Sequence, residues 1–277
     1  MTDTLSTGTD TLSTGTLSTG TGTLPISIVL PTLNEASGIA ATLQPLQYLR
    51  ANGGEIILAD GGSSDATVDI AAPLVDRVVR SATGRAVQMN AGAAVARGDY
   101  VLFLHADTRL PAADMTTLAQ NWRTGEATWG FFPLRLSGTH WFFPVIGFFI
   151  SWRSRITSVA TGDQCIFVRR DVFARLGGFM DIPLMEDIAL SKQLRRLARP
   201  WVEALPALTS SRRWEQKGIV RTILLMWRLR LAYFFGASPE RLARRYYPKS
   251  VSGDKQSAAK KPVSRHRDKK TGALPDV

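Results

Sequence analysis

The sequence contains a single cysteine, Cys165, and three histidines, His105, His140 and His266. One thiol excludes an internal disulfide and any multi-cysteine metal centre, and it fits a reducing compartment. No His/Cys spacing suits zinc. There is no Gly-x-Ser-x-Gly elbow, which removes the hydrolase signature, and the first β-α turn lacks Gly-x-Gly-x-x-Gly, which argues against a dinucleotide oxidoreductase. Long apolar runs are missing too: Trp141–Ile150 is the longest stretch, about half of the roughly 20 residues that a spanning helix needs. No transmembrane anchor is expected.

Acidic residues are scarce relative to basic ones, 23 against 34, giving a formal net charge of +11. A nucleic-acid binder should carry such an excess on its folded surface. Here almost half of it lies from Lys249 onward, where eight basic and three acidic residues alternate with Ser, Ala and Pro without helical periodicity. Residues 249–277 therefore read as a basic disordered tail, and nucleic acid is not the expected partner. At the other end, residues 1–24 repeat a Thr/Ser/Gly/Leu pattern with almost no apolar side chains to bury, and read as a second disordered tail. That repeat has neither the basic start nor the apolar run of a secretory signal, so a cytoplasmic location is expected. Within the folded part, residues 219–245 interleave arginines with Trp227, Leu231, Tyr233, Phe234 and Phe235. The pattern suits a helix on the anionic inner face of a membrane and equally suits a packing helix with a solvated Arg face.

What the chain does have is alternation. Ile26–Leu30, Glu55–Ala59, Arg77–Arg80 and Tyr100–Leu104 are β-rich runs, and helical patterns separate them, through Leu43, Leu46 and Leu49, through an Ala-rich segment, and over Arg85–Ala96. Such alternation predicts the doubly wound α/β class, a mostly parallel sheet with helices on both faces. The later half reads as a helix near Ala112–Trp122, a strand at Trp129–Leu136, an aromatic stretch at His140–Trp152, a strand at Gln164–Arg169, a helix from Glu186 and a strand-like run at Trp201–Leu205. No linker separates the halves, 25–110 and 111–248, so one fused domain is expected.

Ligands of such sheets bind beyond the carboxyl ends of the strands. Thr32-Leu-Asn-Glu35, Asp60-Gly-Gly-Ser-Ser-Asp65 and His105-Ala-Asp-Thr108 each follow a strand directly and should converge on one rim. An acidic rim meets a polyanionic ligand only with a divalent cation between them. Asp107, at a rigid strand end, is the natural ligand for Mg²⁺ or Mn²⁺, with capping of the next helix as the bland alternative. Asp60 suits hydrogen bonds to a base or ribose, and Asp65 suits a helix cap. A nucleotidyltransferase would need a Gly-rich, Lys/Arg-bearing loop after the first strand, which Pro31-Thr-Leu-Asn-Glu35 does not supply.

These segments, with Gly84-Arg-Ala-Val-Gln-Met-Asn-Ala-Gly92 and Glu186-Asp187, resemble in order and spacing the landmarks of family-2 glycosyltransferases with the GT-A fold, over about residues 25–248. The Gly-Arg-Ala-x-Gln-x-Asn form and Thr161-Gly-Asp-Gln164 are most similar to a bacterial branch described as involved in arsenosugar-type biosynthesis. The resemblance implies a metal-dependent, inverting transfer of a sugar from a nucleotide sugar, UDP by default, to a hydroxyl of unknown identity. It implies that Thr32, Glu35 and Asp60 contact the nucleoside and that Arg85 and Asn90 line the nucleotide. His105 stands near the sugar or metal, where the family often has Asp. Arg213, in Arg212-Arg213-Trp214, resembles a late basic segment that closes over the diphosphate. Asp107 holds the metal, and Asp187, beside Glu186, is the base, with Asp163 as its rival. The alternative from a different class is a peripheral membrane- or nucleic-acid-binding module using the basic tail.

Overall fold

A computed structural model describes residues 26–111 and 127–247. Both predicted tails and the predicted helix near 112–122 lie outside the described residues. The first half contains β1 (Ile26–Thr32), α1 (Ile39–Leu43), α2 (Gln47–Ala51), β2 (Glu55–Asp60), α3 (Thr67–Ala71), β3 (Arg77–Arg80), α4 (Arg85–Ala94), β4 (Tyr100–Phe103) and β5 (Thr108–Arg109). The second contains β6 (Trp129–Phe131), β7 (Leu134–Leu136), α5 (Phe143–Thr157), β8 (Phe167–Arg169), α6 (Arg170–Arg175) and α7 (Glu186–Leu197). It continues with β9 (Trp201–Val202), β10 (Ala207–Thr209), α8 (Arg212–Lys217), α9 (Ile219–Phe234) and α10 (Pro239–Tyr246).

Seven strands form the main sheet in the order β3-β2-β1-β4-β8-β6-β9. β3, β2, β1 and β4 are mutually parallel, while β8 runs antiparallel between β4 and β6. The continuous apolar runs reflect burial of both faces. Ile26, Ile28 and Leu30 of β1 join Ile56 and Leu58 in one core layer, and Val29 joins Ile57, Ala59 and Phe103 in the other. The period of two thus divides each strand between the layers above and below. A second, three-stranded sheet, β5-β10-β7, ties the residues after Asp107 to the later half.

Some expected boundaries move. The strand expected over Trp129–Leu136 breaks at Phe132-Pro133, because a proline cannot donate to a continuing ladder, and its two pieces enter different sheets. The aromatic stretch at His140–Trp152 lies largely within α5, begun by Pro144 in its first turn. Arg212-Arg213-Trp214 opens a helix rather than closing a strand. The strand β10 carries no long apolar run and was not anticipated.

The edge of the main sheet is closely packed at Gly130, which pairs with Phe167 and Trp201. A Cβ there would overlap the Trp201 carbonyl and the Phe167 ring. Gly130→Ala is expected to destabilise the protein by about 1–3 kcal/mol. Thermal unfolding would show this as a fall of roughly 2–4 °C per kcal/mol; an unchanged midpoint would contradict the packing.

Candidate active site

The ends of β1 and β2 are joined into one rigid double loop. Asn34, with φ of 55°, accepts the Ser64 N–H at 2.8 Å and donates its own N–H to Ser63 Oγ at 2.9 Å. Glu35 N–H donates to Thr67 Oγ1 at 2.7 Å, and Ala36 N–H to Asp65 Oδ2 at 3.1 Å. Beneath the loop, buried Gln88 of α4 donates to the carbonyls of Thr32 (2.7 Å) and Ala59 (3.0 Å). Gly61 lies against that amide, where a Cβ would come within 2.9 Å of it.

Asp65, expected as the helix cap, stands one residue before the N-cap Ala66 of α3 and accepts the Thr67 hydroxyl and N–H; the Thr67 hydrogen bond holds its carboxyl below the usual range. Asp60 also anchors its own turn, accepting from Gly62 and Ser63 N–H groups at 3.1–3.2 Å, and it is buried. Thr32 is buried beside it with Oγ1 lacking a partner.

Asp107 is exposed on the rim, and among the described residues its side chain meets only Thr108 Oγ1, which donates to Oδ1 at a long 3.4 Å. Its carbonyl accepts from Ser210 N–H, fixing the loop to the end of β10. Glu35 stands close enough to feel it: burial, then the Asp107 charge, raises the Glu35 carboxyl, while Arg212 and Arg85 oppose the rise. Asp107, Arg85 and Arg212 therefore all lie within electrostatic reach of Glu35 at one end of the rim. Among the described residues no three His, Cys, Asp or Glu side chains cluster as a metal cage. One or two hard oxygens suit an octahedral Mg²⁺ or Mn²⁺ that takes its other ligands from phosphate and water.

A second cluster lies further along the cleft. Thr161 and Gln164 form a capping box around a single turn that carries Asp163. Asp163 Oδ1 lies 3.2 Å from His105 Nδ1. Gly162 makes room for that ring, since a Cβ would overlap it. Burial opposes ionisation of Asp163, but the His105 hydrogen bond and the charges of His105, Arg85 and Arg213 prevail and hold its carboxyl below the usual range. Asp187 Oδ2 accepts Gly162 N–H and Oδ1 accepts Ile188 N–H, both at 2.7 Å. Glu186 is buried, and desolvation followed by the Asp187 charge raises its carboxyl. His105, Gly162, Glu186 and Asp187 line one narrow cavity with Met89 and Phe179.

Asn90, expected along the nucleotide, instead clamps a loop. It donates to the Phe179 carbonyl at 2.8 Å and accepts the Phe179 N–H at 2.9 Å, holding Gly177-Gly178-Phe179 against α4. Arg85 is exposed at the start of α4 and faces Glu186, Asp163 and the Tyr246–Tyr247 pair. Arg213 stacks on Tyr246, 3.6 Å from the ring centroid, and donates to its carbonyl. The tyrosine pair escaped the sequence reading, as did the proximity of Arg153 and Arg230 to Asp187; all come from helices that no strand-end motif marks.

Because Glu186 is raised, the folded protein binds more protons than the unfolded chain above the ordinary carboxylate range, so this residue makes stability fall as pH rises through that window. Glu186→Gln should raise the unfolding temperature at about pH 8 more than at about pH 5, read by calorimetry. An equal change at both values would separate Glu186 from this effect.

The chain is 42% identical over 101 residues to PGL/p-HBAD biosynthesis glycosyltransferases of Mycobacterium bovis and Mycobacterium tuberculosis, covering 34% of this chain and 39% of theirs. These relatives carry that name rather than one from the arsenosugar-type branch. The match spans well under half of their length. Among solved structures, the Pyrobaculum calidifontis mannosyltransferase PcManGT, in complex with GDP-Man and Mn²⁺, superposes with a TM-score of 0.54 at 19% identity, covering 76% of this chain and 62% of that one. S. aureus TarS 1-349, in complex with UDP, gives 0.54 at 16% identity, covering 67% and 60%. The shared architecture is the GT-A fold. The model of glycosyl transferase family 2 matches residues 27–177, more than half of the sequence, and the chain belongs to that family.

Proposed function

We propose that the protein transfers a sugar from a nucleotide sugar to an acceptor hydroxyl with inversion, using a divalent cation. The observation that carries this reading is the junction of Glu35, Asp107, Arg85 and Arg212 at the ends of the parallel strands. It gives a nucleoside diphosphate both a cation site and direct guanidinium contacts, which suit phosphate. Residues 25–110 supply the donor side. Its base and ribose rest on the double loop of Thr32–Glu35 and Asp60–Ser64, with Asp60 acting chiefly by shaping that loop. Asn90 acts at one remove, by holding the loop before α7. When bound, the cation neutralises charge developing on the departing diphosphate.

Residues 111–248 supply the acceptor side. Asp187 takes the acceptor proton on the face opposite the diphosphate, and its orientation is fixed by the Gly162 and Ile188 N–H groups. Asp163 and His105 form a pair between the two clusters and position the sugar. Arg213, held on Tyr246, extends the positive wall towards the diphosphate. UDP and GDP sugars are both candidate donors, since each occurs in a protein of this fold. Calorimetric titration with a panel of UDP and GDP sugars, with and without Mn²⁺, tests the reading. Saturable, Mn²⁺-dependent binding of one of them is expected, and its absence across the panel would overturn it.

A further inference from the structure

Two helices of the later half carry an apolar surface that none of the described residues covers. On α5 it includes Phe149, Trp152 and Ile156; on α9 it includes Leu224, Trp227 and Leu231, with Trp152 53% and Trp227 74% exposed. The spacings are helical on both, so each forms a stripe rather than a scatter.

The two stripes are one surface. Phe142, Ile146 and Ile150 of the α5 region pack with Ile219 and Ile223 of α9, and further along Arg153 lies beside Arg230. The helices therefore run side by side in the same direction. On each helix the buried positions, Gly147, Ser151 and Ser154 on α5 and Thr222 and Leu229 on α9, lie on one side of the contacting row. The apolar stripe lies on the other side of that row. At 3.6 residues per turn this turns both stripes the same way, away from the core.

We propose that this α5/α9 face seats the protein on an anionic lipid bilayer. Charge selects that occupant over a second copy of the chain. The two helices hold five arginines, Arg153, Arg155, Arg221, Arg228 and Arg230, and no acidic residue. By helical position Arg155 borders the outer edge of the α5 stripe, and Arg221 and Arg228 border that of α9. There their stems extend along apolar surface while the guanidiniums reach phosphate. Two such faces would repel each other. The chain also continues beyond Tyr247 into the segment of eight basic and three acidic residues, which adds attraction to the same surface.

The position of the face deepens the functional reading, on which this step rests. Asp187 lies in the electrostatic reach of Arg153 and Arg230, which stand in the seam between the helices. Burial pulls the Arg153 guanidinium down to about 9, with Arg230 adding to the fall, and among the described residues its Nε has no hydrogen-bond partner. A bilayer-borne acceptor would thus meet the proposed base at the edge of the docking face. The acceptor class is a membrane amphiphile with a free hydroxyl.

The test is sedimentation of the full chain with vesicles of phosphatidylcholine, alone or containing phosphatidylglycerol. Association with the anionic vesicles is expected, and W152E/W227E should weaken it by at least about tenfold. F149S/L231S, a milder pair at exposed positions, should weaken it in the same direction, with circular dichroism confirming the fold of each. Wild-type protein remaining in the supernatant would overturn the proposal. So would variants that bind as well as wild type, which would leave the basic tail as the binder, or a stable dimer that the same substitutions disperse. Vesicle binding needs no donor, so its failure leaves the donor titration standing, and failure of that titration leaves vesicle binding standing.

Discussion

Asp187→Asn is expected to lower turnover by about 10²–10⁴-fold, the usual contribution of a positioned general base, while nucleotide-sugar binding stays near wild type. The geometry explains why the carboxylate and not merely its shape is needed. Both Asp187 oxygens accept backbone N–H groups at 2.7 Å, which fixes the side chain but leaves each oxygen a second lone pair. An asparagine would set its NH₂ against one of those donors, leaving it unsatisfied at roughly 1–3 kcal/mol. Stability must therefore be measured beside activity. Glu186 cannot easily substitute, because burial and the neighbouring charge drive it towards the protonated form. Asp163 is the informative control. It is engaged with His105 at 3.2 Å, so Asp163→Asn should alter donor handling, seen in KM, more than kcat. If instead Asp163→Asn removes turnover and Asp187→Asn does not, the base is Asp163.

The unequal legibility of the two halves follows from what each motif depends on. On the proposed donor side, Thr32 and Asp60 end, and Asp107 follows, strands whose runs are continuously apolar, and strand ends in a parallel sheet converge by topology, so the rim was legible in the sequence. Position in the chain was enough to bring Glu35 to Asp107. The acceptor side depends on packing between helices distant in sequence. The Tyr246–Tyr247 pair reaches Arg85 and Arg213 only because α10 folds back on α9, burying Leu242 against Met185 and Leu229. Asn90 shows what motif position leaves out. Its place in a motif suggested a ligand contact, whereas the fold uses both ends of its amide on one backbone residue. The 219–245 segment fitted either a packing or a surface helix, and α9 is both: one face is buried at Thr222 and Leu229, another is exposed from Val220 to Phe235.

Removing the metal, or its ligand, should have an effect as large as removing the base. Asp107→Ala is expected to abolish metal-dependent nucleotide binding and to reduce turnover by about 10³-fold, since neutralising a leaving diphosphate is worth several kcal/mol. Asp107 faces Glu35 as a like charge, and the two arginines that oppose it stand on separate elements, Arg85 on α4 and Arg212 on α8. Each carboxylate disfavours the ionised form of the other, and a divalent cation between them would relieve that repulsion beyond what the two guanidiniums supply. With no third His, Cys, Asp or Glu clustered there among the described residues, affinity should come largely from the diphosphate, so metal alone should bind weakly and metal with nucleotide tightly. Chelation should stop turnover, and Mn²⁺ or Mg²⁺ should restore it in the wild type but not in Asp107→Ala. Asp107→Asn separates charge from position: it keeps one oxygen at the rim and should recover only a small part of the loss. A chelator-resistant enzyme, or an Asp107→Ala variant with wild-type metal dependence, would move the cation away from the end of β4 and leave Asp107 as a cap on the loop that leads to β5.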